Sequence, residues 1–175
     1  MTAKVNKGGV RPVSKTGKAY QNRLREYTAK MASVGYSDGY FSKESGGFYV
    51  VVKSNYPHKK EELEAARILA DKGYKVYLQD EVGSVSKGDG LIFTFSYEQS
   101  TPDKAVGGHG FKKCLGHAKS KRVQIALIYD KNGRFTDSDI NAGILEFEKY
   151  NATYRFSRII VIDRKNRINN YYHNK

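Results

Sequence analysis

The sequence has one cysteine, few acidic side chains and no long apolar run. Cys114 alone makes neither an intrachain disulfide nor a cysteine zinc site, which suits a packed thiol in a reducing compartment. No stretch approaches the roughly 20 consecutive apolar residues that span a bilayer. Lys4 and Lys7 are not followed by the apolar segment of a secretory signal, so a soluble protein is expected. Walker and dinucleotide-binding glycine loops, Cys/His zinc spacings, HExxH and GxSxG are also missing, which withdraws support from several common enzyme classes.

What the sequence does have is positive charge. Its 175 residues carry 31 Lys and Arg against 18 Asp and Glu, a formal charge of +13. Residues 1–30 hold eight basic and one acidic side chain, and residues 101–125 hold six and one. Residues 31–100 carry a net −2 and residues 126–175 a net +3, an ordinary globular mixture. Charge gathered in two segments points to a polyanionic partner, nucleic acid ahead of anionic lipid, with a solubilising surface as the plain alternative. The 39% hydrophobic content, with 8 Phe and 14 Tyr, suffices for a core, and the length fits one domain.

Hydrophobic periodicity and turn residues divide the chain. Residues 1–16, with Gly8, Gly9 and Pro12, read as a flexible basic arm, and residues 17–175 as a single domain. Within it, residues 17–56 supply an N-terminal helix and strand and residues 57–175 the core. Tyr20, Leu24, Tyr27, Met31 and Val34 recur at four and three, predicting a helix that ends near Gly35. A turn-rich stretch with Ser37, Asp38 and Gly39 follows, then a strand at 48–53, expected to be the first of the sheet. A helix is predicted from 58 or 59 to 72, with Glu61, Glu62 and Glu64 at its start and Gly73 after its end.

A strand at 74–79 and a polar loop at 80–89 come next. The alternation of Leu91, Phe93, Phe95 and Tyr97 then reads as one further strand. The run of glycines and His109 at 107–110 reads as loop, followed by a short helix from Phe111. Residues 123–129 predict a central strand buried on both faces. Thr136 and Asp139 cap a helix running to about Tyr150, and strands at 158–163 and 168–172 close the chain. The mixture of hairpin and crossover connections predicts an α/β fold with a mixed sheet flanked by helices.

The candidate chemistry lies on the second basic segment and the strand before it: Asp89 and Glu98 at the two ends of that strand, then His109, Lys112, Lys113 and His117. Two phosphodiester-cleaving mechanisms can be built from these types. In one, His117 or His109 does acid–base work, since an ordinary imidazole pKa near 6.5 allows either proton state. Lys113, four residues before His117 on the same helix face, then stabilises charge on the phosphate. In the other, Asp89 and Glu98 hold a divalent cation. Metal nucleases usually carry a lysine two residues after the glutamate; Ser100 stands there, and Lys104 would have to substitute from the next loop. Neither route identifies a cofactor, and no metal ligand set is assigned. Lys112, Lys119, Lys121 and Arg122, with Arg23 and Arg25 of the first helix, are the candidate phosphate contacts. Tyr36, Tyr40, Phe41, Tyr49, Tyr56, Tyr171 and Tyr172, near loops or strand ends, would stack on bases or simply pack. His58 and His173 have no evident partner in sequence.

Five blocks in order, EAARILADKGYKVYL at 64–78, GDGLIFTFSYEQSTP at 88–102, GFKKCLGHA at 110–118, VQIALIYD at 123–130 and RIIVIDRKNRI at 158–168, carry a family likeness. Together they resemble the CdiA C-terminal nuclease-like domain of contact-dependent inhibition toxins, also found at the ends of phage minor head proteins. The resemblance runs from residue 57 to the C-terminus. It implies a compact mixed α/β nuclease fold, tRNA or another nucleic acid as substrate, and an immunity protein or phage head proteins as partners. Asp89 and Glu98 match the acidic positions of that pattern and His117 the histidine of its Leu-x-His helix, while Ser100 departs from its metal-dependent version. A chain starting at Met1 is expected to be a phage or mobile-element relative, in the bacterial cytoplasm or the virion. The alternative expectation is a structural or nucleic-acid-binding module of the same fold without chemistry.

Overall fold

The computed structural model describes residues 4–7 (backbone), 10, 12–54, 57–80 and 88–173. Gly8, Gly9, Tyr56 and most of the predicted loop at 80–89 lie outside the described residues. In chain order the elements are β1 (Lys4–Lys7), α1 (Lys18–Ala32), β2 (Tyr36–Phe41), β3 (Phe48–Val52), α2 (Lys60–Asp71), β4 (Lys75–Leu78) and β5 (Gly90–Ile92). They continue with β6 (Phe95–Ser100), α3 (Gly107–Ser120), β7 (Ile125–Tyr129), α4 (Asp137–Tyr150), β8 (Arg158–Ile162) and β9 (Ile168–Tyr172). This is the mixed α/β fold expected from the sequence, and it is built as two compact units.

One unit contains α1, α2 and strands in the order β5-β4-β3-β2. The β2–β3 and β4–β5 pairs are antiparallel, while β3 and β4 run parallel with α2 as their crossover. Tyr27 of α1 lies 5.6 Å from Phe41 and 5.8 Å from Phe48, centroid to centroid. Arg67 of α2 instead sits over Tyr40, so the two helices cover opposite faces of this sheet. As predicted, Gly73 adopts a φ of 92° just past α2, where a left-handed residue ends a helix with least strain.

Two expectations fail in this unit. Residues 36–41, read as a turn, form β2. A Cβ on Gly39 would lie 2.5 Å from Met31 Sδ and 2.9 Å from Tyr27, so the glycine that signals a turn in sequence is what lets α1 approach the strand. Val34, placed on the buried face of the first helix, lies past the end of α1 and is 92% exposed.

The other unit holds α3, α4 and strands in the order β1-β9-β8-β7-β6. β6, β7 and β8 are parallel, joined through α3 and α4, and β9 and β1 add antiparallel. Phe111, Leu115, Ile144 and Phe147 of the two helices pack with Ala126, Ile128, Ile159 and Val161 of the strands. All five residues of β7 are buried, as its apolar run predicts. Thr136 Oγ1 accepts from the Asp139 N–H at 3.1 Å and Asp139 Oδ2 from the Thr136 N–H at 2.9 Å, the predicted capping box of α4.

Here too the structure corrects the sequence reading. Part of the basic arm, Lys4–Lys7, is a strand paired with β9. The single strand expected from Leu91 to Glu98 is two strands, β5 and β6, interrupted where Phe93 adopts a left-handed φ of 54°. Finally, residues 107–110 are the first turn of α3 rather than loop. Their low helix propensity is overridden by close packing: a Cβ on Gly108 would meet Ala142 Cβ of α4 at 2.8 Å.

Candidate functional site

Glu98 sits on β6 opposite Ala126 of β7, on the face that α3 covers. Its side chain is 6% exposed, whereas that of His117, in the last turn of α3, is 53% exposed. His117 Nε2 lies 3.0 Å from Glu98 Oε1. A buried carboxylate therefore holds the inner nitrogen of a half-exposed imidazole. With Glu98 ionised, Nε2–H is the donor and Nδ1 becomes the ring's basic nitrogen, an orientation the carboxylate fixes. Ser120 Oγ donates to the His117 carbonyl at 2.6 Å.

Lys113 is exposed on α3 one turn before His117, the spacing that puts two side chains on one helix face. Ser100, two residues after Glu98, faces the same helix and hydrogen-bonds Cys114, whose thiol burial pushes up to about 11. That thiol is a core group, as expected for a buried, non-reactive cysteine.

The remaining candidates are placed differently. Asp89 precedes β5 and belongs to the other compact unit, where its carbonyl accepts from the Gln79 N–H. The two acids thus do not flank one strand. Among the described residues, no three His, Cys, Asp or Glu side chains converge as a metal ligand set. His109, expected in a loop, is on α3, with Nδ1 3.0 Å from Glu146 Oε1 of α4. Lys112 Nζ lies over the Tyr150 ring at 5.1 Å, and Lys119 Nζ donates to Asn151 Oδ1 at 2.5 Å. Lys121 caps α3 and exposed Arg122 follows with a left-handed φ of 56°. Arg23 is structural, with Nη1 donating to the Gly73 carbonyl at 2.6 Å, while Arg25 is exposed. Of the stacking candidates, Tyr171 is buried, half-buried Phe41 packs against Tyr20 and Tyr27, Tyr40 donates to Asp71, and Tyr36 lies beneath Lys30.

Sequence reasoning missed that every histidine of the chain has a glutamate partner. His58 Nδ1 meets Glu62 Oε2 at 2.9 Å and His173 Nδ1 meets Glu148 Oε1 at 3.0 Å, alongside the two pairs above. Only His58–Glu62, four apart on one chain segment, carried a local signal. Of the four, only His117 joins a buried carboxylate to a ring more than half exposed; the His109 and Glu146 side chains are 63% and 32% exposed, and the other two rings are buried.

No family model and no curated relative matches the chain. Among solved structures, its fold is similar to a chain of the CdiA-CT/CdiI toxin and immunity complex from Burkholderia pseudomallei, with a TM-score of 0.54. The likeness covers 70% of this chain and 98% of that one at 18% identity, and is a likeness of fold. The five sequence blocks and this likeness thus agree on the fold. No helix among the described residues is long and apolar enough to cross a membrane.

Proposed function

We propose that this chain is a small basic toxin-like nuclease that cleaves RNA, of tRNA type, with the acid–base work falling to His117. The Glu98–His117 hydrogen bond carries the reading: it joins an oriented base to an exposed surface bearing Lys113. His117 Nδ1 takes the proton of a ribose 2′-hydroxyl as that oxygen attacks the adjacent phosphorus. The O2′–P bond forms, the P–O5′ bond breaks, and the imidazolium returns its proton to the departing 5′-oxygen. The products are a 2′,3′-cyclic phosphate and a 5′-hydroxyl. Glu98 positions the ring and stabilises its cation, and the Lys113 ammonium stabilises the charge gathered on the phosphate. An immunity-type inhibitor protein belongs to the same reading, since the similar solved chain comes from a toxin and immunity complex.

The test is incubation with labelled tRNA, single-stranded DNA and duplex DNA, in magnesium or chelator, beside His117→Ala. Cleavage of RNA that survives chelator and falls by about 10²–10⁴ in the variant is expected. Magnesium-dependent cleavage untouched by His117→Ala returns the chemistry to the acidic residues. Binding without cleavage leaves a nucleic-acid-binding module.

A further inference from the structure

Tyr150, the last residue of α4, is the one exposed aromatic among the described residues, at 67%. Two ammonium groups lie over its ring: Lys112 Nζ from α3, 5.1 Å from the centroid, and Lys149 Nζ at 5.6 Å. Further cations surround the same end of α4. Lys119 Nζ is held by Asn151 and lies over Tyr154, and Arg155 Nη1 donates to the carbonyls of Asn151 and Tyr154 at 3.0 and 2.9 Å. The acids of this helix face elsewhere, Glu146 to His109 and Glu148 to His173.

This cluster has little to do for the fold. An exposed cation–π contact contributes about 0.5–1 kcal/mol, and an exposed ring contributes little by burial. A nucleobase stacked on such a ring contributes about 1–3 kcal/mol and finds a π-face whatever its sequence. A base on the ring replaces two cation–π contacts of comparable summed size, and the displaced ammonium groups are left beside it to pair with the flanking phosphates, which tips the balance to the base. We infer that Tyr150 is a stacking platform for an unpaired RNA base, with Lys112 and Lys149 holding the phosphates next to it.

The inference rests on the RNA-cleaving reading above and adds what that reading leaves open, a single-stranded segment as the bound element. Lys112 and His117 are five residues apart on α3, about 7.5 Å along the axis and roughly 140° around it. A strand crossing the exposed side of α3 at Lys113 reaches from the platform to the dyad.

The experiment uses the full chain carrying His117→Ala, so that RNA stays intact, and an unstructured oligoribonucleotide containing 2-aminopurine. Adding Tyr150→Ala is expected to weaken binding on the order of tenfold and to abolish stacking-induced quenching, with the salt slope unchanged. Tyr150→Phe is expected to keep both. Lys112→Ala and Lys149→Ala are each expected to flatten the slope of log K against log salt by about 0.7. Duplex RNA of the same sequence should be insensitive to Tyr150. Equal affinity and quenching in Tyr150→Ala, or a Tyr150→Phe variant as weak as Ala, overturns the platform, as does absence of RNA binding altogether. Cleavage by the unsubstituted chain is read separately: cleavage with no Tyr150 dependence sinks the platform alone. Tyr150-dependent stacking without cleavage sinks the nuclease and leaves the platform standing.

Discussion

Gly108 and Gly143 bring α3 and α4 together so closely that a Cβ on Gly143 would lie 2.7 Å from the Gly108 carbonyl oxygen and 2.8 Å from Phe111 Cβ. Backbone and a core aromatic cannot yield cheaply. Gly143→Ala is expected to cost about 1–3 kcal/mol, the usual penalty of overpacking, against the small gain alanine brings to an exposed helix. Urea unfolding measures it; a variant of unchanged or greater stability would show that the helices separate freely.

Glu98 separates positioning from folding. Glu98→Gln keeps the size and an acceptor oxygen but removes the charge that stabilises an imidazolium. If His117 is the base of an RNA-cleaving reaction, cleavage is expected to fall at least tenfold with the thermal unfolding temperature little changed. A variant with unaltered rate would remove Glu98 from the mechanism.

Arg122 occupies a left-handed backbone conformation, which costs a non-glycine residue about 1–2 kcal/mol. Arg122→Gly is expected to stabilise the chain by about 1 kcal/mol, since a glycine suits the position after a helix cap. If the side chain serves as a phosphate contact, the same variant loses RNA affinity and flattens the salt slope. Stability and binding then move in opposite directions, and measuring both on one protein checks the assignment.

Two buried histidines give opposite pH dependences. The Glu62 hydrogen bond holds His58 above the ordinary value of 6.5, outweighing burial. Its stabilising contribution is full below the unfolded pKa and is lost as pH rises through the folded one. His58→Asn is therefore expected to lower the unfolding free energy more at about pH 5.5 than at about pH 8.5. Burial holds His173 below its ordinary value despite Glu148, so the unfolded chain takes the proton first and stability declines as pH falls below 6.5. His173→Phe, in a site where the ring stacks on Phe156 at 5.9 Å, is expected to flatten that acid-side loss.

Local signals identified much of this protein because they report on interactions within a few residues. The Thr136–Asp139 box announced α4, Gly73 the end of α2, and the unbroken apolar run the buried strand β7. Strands at 158–163 and 168–172 were legible, and so was the helical spacing that puts Lys113 beside His117. What misled was the same kind of signal in a different setting. Gly39 reads as a turn until α1 lies on it, the glycines at 107–110 read as loop until α4 lies on them, and an alternating run does not disclose the break at Phe93.

The candidate site divides in the same way. The sequence by itself determined the charge, the residue types and the order of the elements, all of which are properties of composition and order. Only the tertiary structure decided that Glu98, 19 residues before His117, becomes its partner while Asp89 goes to the other compact unit. It also decided that Lys112 and Lys149 come to lie over the exposed Tyr150 ring. Periodicity reports which face of its own element a side chain occupies. Which element arrives on that face is set by strand pairing and helix packing between distant segments, and no pattern within one segment encodes it.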